Sequence, residues 1–229
     1  MSPPPPDPLL LSVWAGEVVY EEGLRWQQLL AEARAVDAVD DVLLTLTHDR
    51  VYTAGRNADV SRNVLGTKEI RVVRTDRGGD VTYHGPGQLV AYPIVKLQHP
   101  LAARAHVDAL EQACVLTAGS YGIRAGTDPQ RPGVWVGNRK LAAVGVRIKG
   151  GVATHGLALN VCPELADFDG LIPCGIPDRG VCSLASLGVE TTVEQARRRL
   201  VAHLAQTLGH RLQPARAADL GLVSTLVGA

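Results

Sequence analysis

Three apolar runs at residues 134–136, 141–148 and 152–161 are separated only by Gly137-Asn138 and Gly150-Gly151. Connections this short cannot carry a crossover, so neighbouring runs must pair antiparallel through tight turns. The second half of the chain is thereby committed to a three-strand meander. Further strands are expected at 41–47, 70–74 and 88–97, the first of them continuously apolar like a strand buried on both faces. Residues 9–14 read as a short edge strand. Helical spacing predicts a helix over 21–38 with Leu24, Leu29, Ala31 and Val36 toward the core. A second is expected over 102–120, with Val107, Leu110, Cys114 and Ala118 on one face. A third, over 192–208, opens on a capping pattern at Thr192. Residues 48–68 read as a loop and 162–190 as irregular. The expected fold class is α/β in the α+β sense, a mixed sheet flanked by helices. Residues 9–229 would form one domain, preceded by a disordered proline-rich arm over 1–8.

Composition narrows the function classes. At 46% hydrophobic and 20% charged residues the chain is not intrinsically disordered. Lys+Arg and Asp+Glu both number 23, and zero net charge argues against bulk nucleic-acid binding. No window is long and apolar enough to span a membrane, and the start lacks the pattern of a secretory signal, so a cytoplasmic protein is expected. Zero net charge and the absence of a large apolar repeat fit a monomer.

Three segments are hard to explain as packing. Residues 77–88 carry Gly78, Gly79, Gly85 and Gly87, more glycine than a hairpin needs, and bare backbone of this kind lets a ligand approach closely. The pattern matches neither a phosphate loop nor a dinucleotide fingerprint. Cys174 lies between Pro173 and Gly175-Ile176-Pro177, a rigid irregular setting that suits a nucleophile. Cys114 sits on a helix face, and Cys162 and Cys182 read as structural. The cysteine spacings contain no CxxC and no nearby paired histidines, so zinc is not expected. Lys140 opens a strand of small apolar residues. Near a sulfur its ammonium would favour the thiolate; otherwise it is a solvated strand-edge residue, and the residues alone leave both readings open.

These segments resemble the octanoyltransferases of lipoate biosynthesis over about residues 10–210. The motifs are Thr-Ala-Gly-Arg at 53–56, Asp-Arg-Gly-Gly-x-Val-Thr-Tyr-His-Gly-Pro-Gly-Gln-Leu-Val-x-Tyr-Pro-Ile at 76–94, Arg-Lys-Leu-Ala-Ala-Val-Gly-Val-Arg at 139–147, Thr-His-Gly-Leu-Ala-Leu-Asn at 154–160 and Ile-Pro-Cys-Gly-Ile at 172–176. The resemblance implies the fold of biotin and lipoate ligases and a ping-pong acyl transfer that requires no ATP, metal or other cofactor. Cys174 would be the nucleophile and Lys140 its partner. Arg77, Gly78, Gly79, Asp80, Val81, Thr82, Tyr83 and His84 would bind substrate, with Ala143, Val144, Gly145, Gly156, Leu157 and Ala158. His84 and His155 are assigned to shaping the pocket. The implied donor is octanoyl-acyl carrier protein; the implied acceptors are lipoyl domains of 2-oxoacid dehydrogenase E2 subunits and the glycine cleavage H protein. Arg71, Arg74, Arg139, Arg147 and Lys149 are candidates for meeting an acidic carrier. Competing readings are an ATP-dependent lipoate–protein ligase, a protein-to-protein octanoyl amidotransferase, and a non-catalytic carrier- or lipoyl-domain-binding module.

Overall fold

Residues 7–66, 69–97, 99, 102–171 and 180–223 are described by a computed structural model. Cys174, its flanking motif and most of the proline-rich arm lie outside the described residues.

Eight strands form the main sheet in the order β11-β1-β2-β6-β10-β9-β8-β7. They are β1 (Leu9–Val18), β2 (Asp41–His48), β6 (Gln88–Lys96), β7 (Gly126–Asp128), β8 (Arg131–Val136), β9 (Arg139–Lys149), β10 (Val152–Asn160) and β11 (Arg211–Pro214). The expected meander is present: β8, β9 and β10 pair antiparallel, as do β10 with β6 and β6 with β2. At the other end β1 pairs parallel with both β2 and β11, so the sheet is mixed.

Alternation in the central strands explains why helices cover both faces. Leu43, Leu89 and Ala91 pack with Leu110, Cys114 and Ala118 of α3 (Ala102–Gly119) and with Leu200 and Leu204 of α4 (Val193–Leu208). Their neighbours Val42, Leu44, Val90, Tyr92 and Ile94 pack the opposite way, against Trp26 and Leu30 of α1 (Tyr20–Ala35). With period-two alternation, a strand apolar on both sides must be sandwiched. Helix α4 starts on a capping box, in which Thr192 Oγ1 accepts from Gln195 N–H and the Gln195 side chain accepts from Thr192 N–H.

A second sheet, in the order β4-β3-β5, joins β3 (Val51–Ala54), β4 (Arg71–Arg74) and β5 (Val81–His84). The short helix α2 (Val60–Asn63) lies between β3 and β4.

Three expectations need correction. Residues 9–14 are not an edge: β1 continues to Val18 and is flanked on both sides, because β11 returns after α4 to pair with it. The 48–68 stretch contains β3 and α2, and the glycine-rich segment contains β5. The face predicted for α1 is wrong in part, although Ala31 does pack on the core. Leu29 and Val36 are exposed, while Glu22, Gly23, Trp26, Gln27 and Leu30 are buried.

Candidate functional site

A cavity of about 410 Å³ lies where the β3–β5 sheet meets β9 and β10. That volume falls in the range of small-molecule sites, about 300–1,000 Å³. Its wall includes Arg77, Gly78, Gly79, Asp80, Val81, Thr82 and His84, with Ala143, Val144 and Gly145 from β9 and Gly156, Leu157 and Ala158 from β10. Lys140 lines it too. The structure thus brings together every described residue expected at the site except Tyr83. In β5, Tyr83 faces away from the cavity: its hydroxyl donates to Asp167 Oδ2 at 2.7 Å, and its ring packs on Phe168 and Tyr52.

The glycine-rich segment is pinned in place by its own polar side chains. The Arg77 guanidinium is buried; its Nη2 donates to Thr53 O at 2.7 Å and Thr53 Oγ1 at 2.9 Å, and Nη1 donates to Gly78 O at 3.1 Å. Asp80 accepts from Asn63 Nδ2 at 2.6 Å and from Val81 N–H at 2.7 Å. Gly78 N–H donates to Val146 O at 2.9 Å, which ties the loop to β9. What these residues turn to the cavity is therefore largely backbone.

Lys140 is not a solvated strand-edge residue: it is 5% exposed. Its Nζ donates to Pro132 O at 3.3 Å and stands 4.6 Å from the centre of the Trp135 ring. Its backbone holds the chain that returns after the undescribed residues. Lys140 N–H donates to Gly180 O at 3.0 Å, and Lys140 O accepts from Cys182 N–H at 2.9 Å.

Behind the cavity a row of buried polar groups links the two sheets. His84 Nδ1 lies 2.7 Å from Gln88 Oε1, Gln88 Nε2 donates to Asn160 Oδ1 at 3.0 Å, and Asn160 Nδ2 donates to Cys182 O at 3.0 Å. His48 lies against His84 and Tyr20, with its Nε2 2.8 Å from the Tyr92 hydroxyl. Tyr20 and Tyr92 line the cavity, as do Asn57, Val107, Pro132, Val146 and His155. Of these the sequence assigns only His155 to the pocket; Tyr92 and Val146 fall inside the family motifs without a role of their own, and Tyr20 lies outside every motif.

His155 has a left-handed backbone (φ 59°), rare outside glycine. The β6–β10 pairing is interrupted between Ala153↔Val95 and Leu157↔Ala91, where the unchanged register sets Pro93 opposite His155. Proline in a central strand has no N–H for the ladder. The His155 N–H turns instead to Gln27 Oε1 of α1 at 2.6 Å, and its Nε2 lies 2.9 Å from Asp76 Oδ1. Beyond it a second hollow of about 700 Å³ is lined by Gln27, Arg74, Arg147, Lys149 and His155 itself. Of the expected carrier-facing cations, Arg147 is paired with Asp76, and Arg71 with Glu21 and Asp49.

Burial sets the histidines' protonation. It pushes His48 down to about 4 and His84 well below the ordinary value of 6.5, and it also lowers His155 despite the neighbouring Asp76. A folded-state pKa below the unfolded one gives stability that is present above pH 6.5 and lost as pH falls toward 4. For His48 alone the displacement corresponds to about 3 kcal/mol. The melting temperature should therefore be steady above neutrality and fall between pH 6.5 and 4, more shallowly in His48→Gln. Equal slopes in the two proteins would contradict this.

Among the described residues no helix is long and apolar enough to cross a membrane. Residues 19–205 match the family described as the lipoyl protein ligase A/B catalytic domain. An octanoyltransferase of Solibacter usitatus is 42% identical, over 87% of this chain and 93% of its own length. The bi-partite lipoate protein ligase of Thermoplasma acidophilum superposes with a TM-score of 0.69 at 16% identity, covering 97% of this chain and 99% of that one. Biotin protein ligase from Aquifex aeolicus shares the fold more distantly, with a TM-score of 0.51 at 13% identity over 88% of this chain and 69% of that one. With its glycine-rich wall, buried lysine and relatives of matching length, the chain belongs to the octanoyltransferase family within the lipoyl protein ligase A/B catalytic domains.

Proposed function

We propose that this acyltransferase moves octanoyl from octanoyl-acyl carrier protein to a lysine of lipoyl domains through a thioester on Cys174, with Lys140 as its proton partner. The observation that carries the reading is Lys140, a buried lysine on the wall of a cavity that also gathers the glycine-rich segment and the small residues of β9 and β10. The described chain resumes at Gly180, six residues beyond Cys174, hydrogen-bonded to Lys140 itself. Small residues at 143, 145, 156 and 158 leave room for an alkyl chain.

The steps balance without an external energy source. The reacting pair is a Cys174 thiolate beside the Lys140 ammonium. The thiolate attacks the donor carbonyl, the carrier's sulfur leaves, and the Lys140 ammonium gives a proton to it. One thioester has replaced another, so the exchange is nearly neutral in energy. The acceptor amine, uncharged when it reacts, attacks the enzyme thioester; Lys140 takes its surplus proton as the Cys174 thiolate departs. An amide has formed, and the thiolate–ammonium pair is restored. The described cysteines are all free thiols, which suits the reducing cytoplasm in this reading. The protein would act as a monomer, on lipoyl domains of E2 subunits and the H protein.

Intact mass of the protein after mixing with octanoyl-carrier protein, without ATP, tests this directly. The expected result is a gain of one octanoyl group that hydroxylamine removes. Absence of the adduct, together with lipoyl-domain modification from free octanoate and ATP, would instead establish the ligase chemistry.

A further inference from the structure

The peptide group joining Pro132 to Gly133 is gripped from both sides. Gly133 N–H donates to Glu111 Oε1 at 2.7 Å, a buried bond, while the Pro132 carbonyl accepts from Lys140 Nζ at 3.3 Å. Both atoms belong to one planar, trans amide, so its N–H and C=O point in opposite directions. Negative charge placed on the N–H side polarises the amide and strengthens the carbonyl as an acceptor. The lysine stem lies against this same peptide. A Cβ on Gly133 (φ 124°) would stand 3.3 Å from Lys140 Cε and 2.6 Å from Ala142 O, so glycine is needed for the stem to pass.

Glu111 is an unusual residue to find there. It sits inside α3 at 3% exposure, and an unused buried carboxylate is costly. Burial raises its pKa, while the Gly133 N–H, Arg104 and Lys140 favour the charged form and Asp108 opposes it. Arg104 and Asp108 are on its own helix; Lys140, from β9, faces it across the peptide. The Cys114 thiol, also on α3, feels the Glu111 charge.

We infer that Glu111 is a positioning residue: acting through the Pro132–Gly133 amide, its carboxylate holds the Lys140 ammonium in place on the cavity wall. This rests on the reading of Lys140 as the partner of Cys174. A role confined to accepting the Gly133 N–H would be served equally well by glutamine, which keeps that bond and removes the charge.

The experiment is alkylation of the whole protein by iodoacetamide across about pH 6 to 9, read as peptide mass at Cys174 in wild type, Glu111→Gln, Glu111→Ala and Lys140→Ala. Exposed Cys162 serves as an internal reference. Glu111→Gln should alkylate about three- to tenfold more slowly at Cys174 near neutrality, with its profile moved up by about half to one pH unit and Cys162 unchanged. If Glu111→Ala fails to fold, the isosteric Glu111→Gln still decides. A wild-type profile in Glu111→Gln, beside a displaced one in Lys140→Ala, overturns the Glu111 inference alone. A wild-type profile in Lys140→Ala overturns the Lys140 reading, and this inference with it.

Discussion

Cys174→Ala should abolish the hydroxylamine-sensitive adduct and lower octanoyl transfer by about 10⁵-fold or more, the scale on which covalent catalysts fail when the nucleophile is removed. The expectation is strong because no other described cysteine is suited to take over. Burial pushes the Cys114 thiol up to about 12, deep in the core between α3 and the sheet. Cys182 is likewise pushed up to about 11 by burial, and its Sγ lies 3.7 Å from Arg139 O. A thiol held so far above neutrality supplies almost no thiolate. Cys162 is exposed but absent from the cavity wall, and its backbone N–H is bonded to Gly87 O at 2.9 Å. The variant should keep the wild-type melting temperature and still bind octanoyl-carrier protein. Intact mass and a lipoyl-domain modification assay, run side by side, check both halves. An octanoyl adduct surviving in Cys174→Ala would move the nucleophile to another residue, and peptide mapping would identify it.

How legible the site was depended on what each residue does there. The glycine-rich segment, Lys140 and the small residues of β9 and β10 stood out because their types are poor choices for packing, and the cavity gathers them. Tyr83 lies within the same motif but serves the β3–β5 core: strand alternation turns it toward Asp167 and Phe168, and alternation was not visible inside a segment dense in glycine. Tyr20 and Tyr92 went unread for the opposite reason. Tyr20 sits in an ordinary helix pattern and Tyr92, though inside the 76–94 motif, in an ordinary strand pattern; only the pairing of distant segments places them beside His48 and His84.

The misread face of α1 has a similar origin. Gly23 faces the core because a Cβ there would stand 2.8 Å from His48 Cε1, and Gln27 faces it to accept the His155 N–H. Buried polar and small residues that serve the site lowered the apparent hydropathy of the true inner face, while Leu29 and Val36 on the outer face attracted the assignment. The strand at residues 51–54 was hidden for want of a partner: β3 pairs with β4 and β5 in a separate sheet, and neither neighbour is close enough in sequence to show as a hairpin. The parallel pairing of β1 with β11 spans nearly the whole chain, a relation that local pattern cannot reveal.

Gly156→Ala should cost more stability than its single methyl suggests. A Cβ at this position would fall 2.3 Å from Ala91 O and 2.7 Å from Pro93 Cδ. Both belong to β6, bordered by β2 and β10 in the middle of the sheet, where neither side can yield. Overpacking against fixed backbone costs about 1–3 kcal/mol and occasionally more, and the upper end is expected here. For a chain of this length that is a loss of roughly 10 °C in melting temperature. Gly145→Ala is the informative contrast. Its Cβ would approach Gly78 O at 2.9 Å, a smaller overlap with a loop rather than a central strand. Gly78 must give way by a few tenths of an ångström against its bond to β9, a smaller displacement than Gly156→Ala forces on a central strand, so stability should change less. The same shift moves the Gly78 backbone that lines the cavity, so octanoyl-enzyme formation should fall in Gly145→Ala at a nearly wild-type melting temperature. Thermal melts and acyl-enzyme rates of the two variants separate these effects. Equal melting temperatures would show that β6 gives way as easily as the loop, contrary to the packing described here.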